Sequence, residues 1–169
     1  MKQKISIKHA GPLFDGTAPG LFQDSADALV AEVVTLLEAA VRSMTPVGVF
    51  GAQGGLLAGI HGEVYNHGTP QVYGVVGHQS GYGDVREEGR RPGKMPPAGS
   101  LVRWIEVVLG ADKRHAERIE YVIRRKIAQK GYDGAYMFDQ AFAANESRIT
   151  EIAESKGLLL AFHLGGRDA

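Results

Sequence analysis

The side chains best suited to catalysis or metal binding are six histidines, at positions 9, 61, 67, 78, 115 and 163. None of them forms the i, i+4 pair that holds zinc on a metalloprotease helix. Because the chain has no cysteine, it can form neither a thiolate site nor a disulfide. The histidines are therefore interpreted as surface or sheet-face residues, and neither a metal nor a cofactor is expected.

A small hydrolase site among His61, His78 and Asp84 is one alternative, because Ser/His/Asp sets arise on unrelated folds. No Gly-x-Ser-x-Gly elbow is present to support it, and neither Ser80 nor Ser100 stands in such a motif. This alternative requires a deep pocket in which polar side chains converge.

The segment from Gly89 to Lys94, Gly-Arg-Arg-Pro-Gly-Lys, invites comparison with a phosphate-binding loop. Its spacing is one residue short, Met95 stands where Ser or Thr is needed, and Pro92 removes one backbone amide. A phosphate-binding loop is therefore rejected.

The same segment carries a compact basic patch, with Glu87 and Glu88 beside it. Three interpretations of this patch remain open: it lies in a solvated loop, it binds an acidic protein partner, or it contacts the DNA backbone. The two neighbouring carboxylates would weaken DNA binding, and they favour charge pairing between subunits. The basic residues of the patch are Arg86, Arg90, Arg91 and Lys94.

Charge and composition limit the function classes. Lys plus Arg and Asp plus Glu number 19 each, which argues against a dedicated nucleic-acid binder. The start of the chain lacks the apolar core of a signal peptide, and no apolar run approaches the roughly 20 residues that span a bilayer. The sequence therefore predicts a globular protein with no membrane partner.

Apolar spacing and turn residues predict an α+β fold: a small, mostly antiparallel sheet with a β-hairpin, packed against about four helices. Residues 1–24 are predicted to form an N-terminal strand and an extended arm, and residues 25–169 a single domain. The irregular stretch 79–97 is long enough to indicate a functional loop. The predicted elements are a strand over Lys4–Lys8, a helix from Asp24 or Ser25 to Pro46, strands over Leu56–Tyr65 and Gln71–His78, a helix from Pro96 or Pro97 to Gly110, a helix over Lys113–Lys130 capped by Asp112, a helix from Asp133-Gly134 to Gly157, and a strand over Leu158–Leu164.

The stretch from Tyr82 to Trp104 reads Tyr-Gly-Asp-Val-Arg-Glu-Glu-Gly-Arg-Arg-Pro-Gly-Lys-Met-Pro-Pro, followed by a helix with Trp104-Ile105. It resembles the signature of the tail-component family of lambdoid siphophages, which comprises minor tail proteins similar to tail-completion or head–tail joining proteins. Thr45-Pro46-Val47-Gly48, Gly55–Ile60 and Ala116–Lys130 extend the likeness over roughly residues 25–155. Residues 1–23 and Leu158–Leu164 depart from it.

This resemblance implies a non-enzymatic virion protein of the phage neck or tail, assembled in the cytoplasm of the host bacterium. It implies a ring, expected to be hexameric, that contacts portal or head-closure proteins and tail-tube or tail-terminator proteins. DNA would pass through such a ring without specific binding. A tail terminator that caps the tail tube and a nucleic-acid-binding module are the alternatives.

The residues expected to contact a neighbouring subunit lie between the hairpin and the tryptophan helix. Prolines there would hold the backbone in one path and so reduce the entropy lost on binding. Trp104, the only tryptophan, is a core residue by default and an interface anchor in the alternative interpretation. The complete expected set is Arg86, Glu87, Glu88, Arg90, Arg91, Pro92, Lys94, Pro96, Pro97 and Trp104.

Overall fold

The structure is a computed structural model that describes residues 11–46, 48–49, 55–80 and 83–165. Within these residues, seven helices combine with two antiparallel sheets of two strands each, which confirms the predicted α+β class. The predicted strand Lys4–Lys8 lies outside the described residues. The elements in chain order are α1 (Pro12–Asp15), α2 (Ala18–Met44), α3 (Gly55–Gly59), β1 (Ile60–Tyr65), β2 (Tyr73–His78), α4 (Gly83–Glu88), β3 (Gly89–Arg90), α5 (Val102–Leu109), α6 (Lys113–Lys130), β4 (Tyr132–Asp133) and α7 (Met137–Leu164).

Helix α2 begins earlier than the sequence pattern predicts. It starts at Ala18 instead of near Asp24, so residues 18–24 are helical and do not form an extended arm. Pro19 stands in the first turn, where proline needs no hydrogen-bond partner for its nitrogen. The Asp15 carboxylate accepts hydrogen bonds from the Thr17 amide at 2.9 Å and hydroxyl at 2.7 Å, which stabilises the turn before the helix.

The hairpin is confirmed with shorter strands. The first four residues of the region predicted as strand belong to α3 instead, and the strand begins at Ile60. The second strand begins at Tyr73 because the turn extends beyond Pro70. Within this turn, Asn66 and Gly68 have positive φ angles. The stretch 79–97 is more ordered than predicted, since it contains α4 and β3.

Two helix boundaries in the second half of the chain were predicted wrongly. Helix α5 begins at Val102, because residues 98–100 form a turn after Pro97. Helix α7 does not end at Gly157, and the predicted strand Leu158–Leu164 is helical. Leucine is a strong helix former, and one glycine costs only about 1 kcal/mol inside a long helix. The predicted limits of α6 are confirmed, with the Asp112 side chain accepting from the His115 amide at 3.0 Å.

The described residues divide into two compact units. The larger comprises residues 37–61 and 76–144, where Val41, Ile60, Met137 and Ala141 form a buried apolar cluster. The hydroxyl of Thr45 is buried beside this cluster and donates to the Val41 carbonyl at 2.6 Å. In the same unit α5 packs on α6, and Ile105 and Ala116 are fully buried.

The smaller unit comprises residues 11–36, 62–75 and 145–165, and its buried apolar residues are Val34 and Ile152. The hairpin turn is anchored to α2, because the Asp27 carboxylate accepts from the Gly68 amide at 2.9 Å. Lys156 of α7 forms an ion pair with Glu32 of α2 at 2.9 Å. A hydrogen bond from Tyr65 to the Glu63 carboxylate, together with that negative charge, raises the pKa of Tyr65.

Candidate interaction surface

The end of α4 and the segment after it lie against α6 and the beginning of α7, and we call residues 86–101 the strap. In its first half, residues 89–90 pair with residues 132–133 in antiparallel order. The amides of Ala135 and Tyr136 donate to the carbonyls of Arg86 and Glu87 at 2.8 and 3.1 Å, and β3 pairs with β4 through Gly89–Asp133 and Arg90–Tyr132. The backbone of this half is thus held within the chain.

Two glycines allow the strap backbone to come this close. A Cβ atom on Gly134 would lie 1.9 Å from the Glu87 carbonyl oxygen, and one on Gly131 would lie 1.9 Å from that of Arg90. Gly131 also ends α6 at a φ of 68°, a left-handed conformation that glycine adopts without strain. No other residue type fits these two positions without moving the strap.

The second half of the strap runs along one face of α6. The Gly93 amide donates to the Ala128 carbonyl at 2.8 Å, and Arg124 Nε donates to the Pro96 carbonyl at 2.7 Å. Glu120 accepts from the amides of Gly99 and Leu101, both at 3.1 Å. Residues 120, 124 and 128 are four apart, so they share one face of the helix.

Glu120 is only 6% exposed, and its charge is compensated inside the chain. In addition to the two strap amides, it forms an ion pair with Arg124 at 3.9 Å. A buried carboxylate is tolerated only when it is hydrogen-bonded and paired. Glu120 and Arg124 therefore anchor the strap to α6 as a unit.

Glu87 caps the N-terminus of α7 from 50 residues away. Its carboxylate accepts from the amides of Met137 at 2.8 Å, Phe138 at 3.1 Å and Asp139 at 3.5 Å. The first turn of a helix has unpaired amides and a partial positive charge, so a carboxylate there is stabilising. Ala135 and Tyr136, which precede the helix, have no side chain that could serve as this cap.

We expect Glu87→Ala to lower the free energy of unfolding by about 2 kcal/mol, since the variant loses charge-assisted hydrogen bonds to amides at a helix N-terminus. Urea denaturation followed by circular dichroism measures this change. Glu88→Ala is the matched control, because Glu88 is the exposed neighbour and should change stability by less than about 0.5 kcal/mol. Equal losses in the two variants would contradict the capping role of Glu87.

The residues predicted to contact a partner therefore divide into two groups. Glu87 and the buried Pro96 are used within the chain, and the Arg90 guanidinium donates to the Lys94 carbonyl. Arg86 and Arg90 are half-buried. The remaining strap residues of the predicted set are exposed and available to a partner; they are Glu88, Arg91, Pro92, Lys94 and Pro97.

Helix α5 carries an exposed apolar stripe, which we define as Trp104, Val107 and Val108. These side chains are 38%, 45% and 47% exposed, and their i, i+3, i+4 spacing places them on one face. The opposite face is held on α6 through the fully buried Ile105. Trp104 is thus not a core residue. Apolar side chains grouped in this way are typical of a protein-binding surface.

An open cleft of about 730 Å³ is lined in part by His78, Ser80 and Asp84. Two of these residues, His78 and Asp84, belong to the hydrolase alternative. His78 Nε2 lies 3.2 Å from the Asp84 carboxylate, as the alternative requires. His78 Nδ1 is buried, and no hydroxyl within the described residues is its hydrogen-bond partner. A histidine base must contact both the acid and the nucleophile, so this geometry does not support the alternative. The third member, His61, has its Nδ1 2.9 Å from the Gly59 carbonyl oxygen.

In the part of the chain that the structure describes, no three His, Asp or Glu side chains are grouped so as to hold a metal ion. No helix in that part is both long and apolar enough to cross a bilayer. Comparison of the chain with protein-family models, with curated proteins and with solved structures found no match.

Proposed function

We propose that this protein is a non-enzymatic assembly component of a long-tailed phage, a tail-completion or head–tail joining protein that works as a ring in the virion neck. Its partners are other copies of itself, portal or head-closure proteins, and tail-tube or tail-terminator proteins. The motif from Tyr82 to Trp104, which resembles the tail-component family, supports this proposal. A tail terminator that caps the tail tube is the alternative within the same class.

The observation that carries the proposal is the apolar stripe of α5. Burying the exposed part of each valine side chain in an interface would contribute about 1 kcal/mol, and tryptophan is among the residues most enriched at binding hot spots. In an isolated chain these side chains remain in water. They therefore favour a protein that buries α5 against another polypeptide.

The strap supports the same function by presenting its exposed residues in one arrangement. Its backbone is fixed by hydrogen bonds to Glu120, Arg124 and Ala128, so little conformational entropy is left to lose on binding. Arg91 and Lys94 are exposed on this held segment and can pair with carboxylates of a neighbour. We therefore propose that a neighbour contacts only the exposed side of the strap, and not every residue of the predicted set.

We expect Val107→Ser with Val108→Ser to prevent ring formation while leaving the monomer folded, because both side chains are exposed in the monomer. The mass of the wild-type protein should correspond to several copies of the chain, either when it is purified alone or after tail-tube subunits are added. Electron microscopy of the same samples should show rings. The variant should remain a monomer under both conditions.

Val75→Ser with Val85→Ser is the matched control, since these valines are 46% and 39% exposed and lie outside α5. This control should assemble like the wild type. Rings formed by the α5 variant at wild-type concentrations would contradict the role of the stripe. A wild-type protein that stays monomeric with and without tail-tube subunits would contradict the proposed function itself.

A further inference from the structure

The exposed surface of α6 is strongly basic, although the sequence of the helix carries charges of both signs. The helix contains seven basic residues and two glutamates, Glu117 and Glu120, a mixture typical of a solvated surface. The structure buries Glu120 and half-buries Arg124, and both side chains hold the strap. Six exposed cations and a single exposed carboxylate, Glu117, remain; the cations are Lys113, Arg114, Arg118, Arg125, Lys126 and Lys130.

Three of these cations form a row along a side of α6 that lies about 100° around the helix from the residues that contact the strap. Arg114, Arg118 and Arg125 are separated by four and seven residues, so they share one face and span about 17 Å at 1.5 Å per residue. Tyr121, which is exposed, lies on the same side. None of the three arginines forms an ion pair with any residue that the structure describes.

We propose that this arginine row binds the sugar–phosphate backbone of nucleic acid, without reading its sequence. The guanidinium groups are spread along a line instead of converging on a pocket, so they match a polymer with a repeating negative charge. Arginine binds phosphate oxygens through two parallel hydrogen bonds, and nucleic acid offers one phosphate per 3.4 Å of each strand. The face has no carboxamide side chains between the arginines that would read base edges.

The zero net charge of the whole chain is compatible with such a site. Because the rest of the protein adds no overall attraction for phosphate, we expect the affinity for nucleic acid to be low. Binding is confined to one face, is weak at physiological salt and strengthens as salt is lowered. This property goes beyond the assembly function, because it concerns α6 and needs neither the apolar stripe nor the exposed side of the strap.

The test is fluorescence anisotropy of a labelled 30-base-pair duplex and of a single strand of the same length, titrated with protein from about 20 to 200 mM salt. With three phosphate contacts, the logarithm of the duplex association constant should fall with the logarithm of salt at a slope of about −3. Arg118→Gln with Arg125→Gln should reduce the slope to about −1 and weaken low-salt binding by at least about tenfold. Binding of the single strand should also weaken as salt rises, with a shallower slope than binding of the duplex.

Arg103→Gln with Arg148→Gln is the matched control, since it removes the same charge from exposed arginines that are paired with Glu106 and Glu151. It should bind DNA like the wild type. Equal weakening in the two double variants would overturn the proposal, as would no binding at the lowest salt. If polyglutamate displaced the labelled DNA as well as unlabelled DNA does, the proposal would be overturned and the arginine row assigned to an acidic protein. Mass measurement of the α6 variant should still give wild-type assemblies, which separates this site from the assembly surface.

Discussion

Replacing Glu120 with alanine is expected to lower the free energy of unfolding by about 3 kcal/mol. The substitution leaves the amides of Gly99 and Leu101 without their acceptor and leaves Arg124, which is largely buried, without its counter-charge. Removing one member of a buried ion pair costs about 3–5 kcal/mol, because the other charge stays buried and uncompensated. Urea denaturation measures the change.

The control for this substitution is Glu117→Ala, three residues earlier on the exposed face of the same helix. It should change stability by less than about 0.5 kcal/mol. Hydrogen exchange adds a local measurement, since the Gly99 and Leu101 amides should lose protection in the Glu120 variant and keep it in the Glu117 variant. If both variants unfold at the same urea concentration, Glu120 does not anchor the strap.

Replacing Gly134 with alanine is expected to have an effect of similar size, about 3 kcal/mol or more, by a different cause. The added Cβ would lie 1.9 Å from the Glu87 carbonyl oxygen and 2.7 Å from the Glu88 carbonyl carbon, both backbone atoms that cannot rotate away. Such a clash is relieved only by backbone movement, a costly form of overpacking. The hydrogen bonds of Ala135 and Tyr136 to the strap would break as a consequence.

Gly157→Ala is the matched control, and its expected effect has the opposite sign. Gly157 lies inside α7, and a Cβ there would meet no atom within 4 Å. Alanine should therefore raise stability by roughly 0.5–1 kcal/mol, the helix preference for alanine over glycine. Thermal or urea unfolding of the two variants separates close packing at Gly134 from any general effect of the substitution. Destabilisation by both would show that the clash is not the cause.

The stability of the strap bears directly on the proposed function. The exposed side chains of the strap keep a single arrangement as long as its backbone is held. Glu87, Glu120, Gly131 and Gly134 are the residues that hold it. Variants that free the strap should therefore assemble less well even though they retain the exposed Arg91 and Lys94, because the entropy of ordering the segment is then lost on binding. The same variants should leave the arginine row on α6 intact.

The ends of a helix were predictable from the sequence where residues within one turn of them act as caps. Asp112 caps α6 and Gly131 ends it, and both signals lie within one turn of the helix they delimit. Gly110 was predicted to end α5 for the same reason, and it does so in a left-handed conformation. The end of α7 was predicted wrongly, because Gly157 and the leucines after it are compatible with either a helix or a strand, and local preference is then too weak to decide.

The residues of the candidate site could be proposed from the sequence, but the contacts that each of them makes within the fold could not. The residue types between the hairpin and Trp104 indicated a segment with a role in binding, and Trp104 is exposed as the interface interpretation of that residue requires. The division of that segment into an inner and an outer side was not predictable. The one available signal was indirect: α7 has no capping side chain of its own at Ala135 or Tyr136, so a cap had to come from elsewhere in the chain.

By itself, the sequence determined the α+β class, the hairpin and the limits of α6, because periodicity, capping and turn formation act between residues close together in the chain. Only the tertiary structure decided which charges face inward. Glu120 is buried because the strap brings two amides to it, and Glu87 is used at a helix that begins 50 residues later. A charged residue has no intrinsic preference that identifies such a partner, since its state depends on what the fold places beside it.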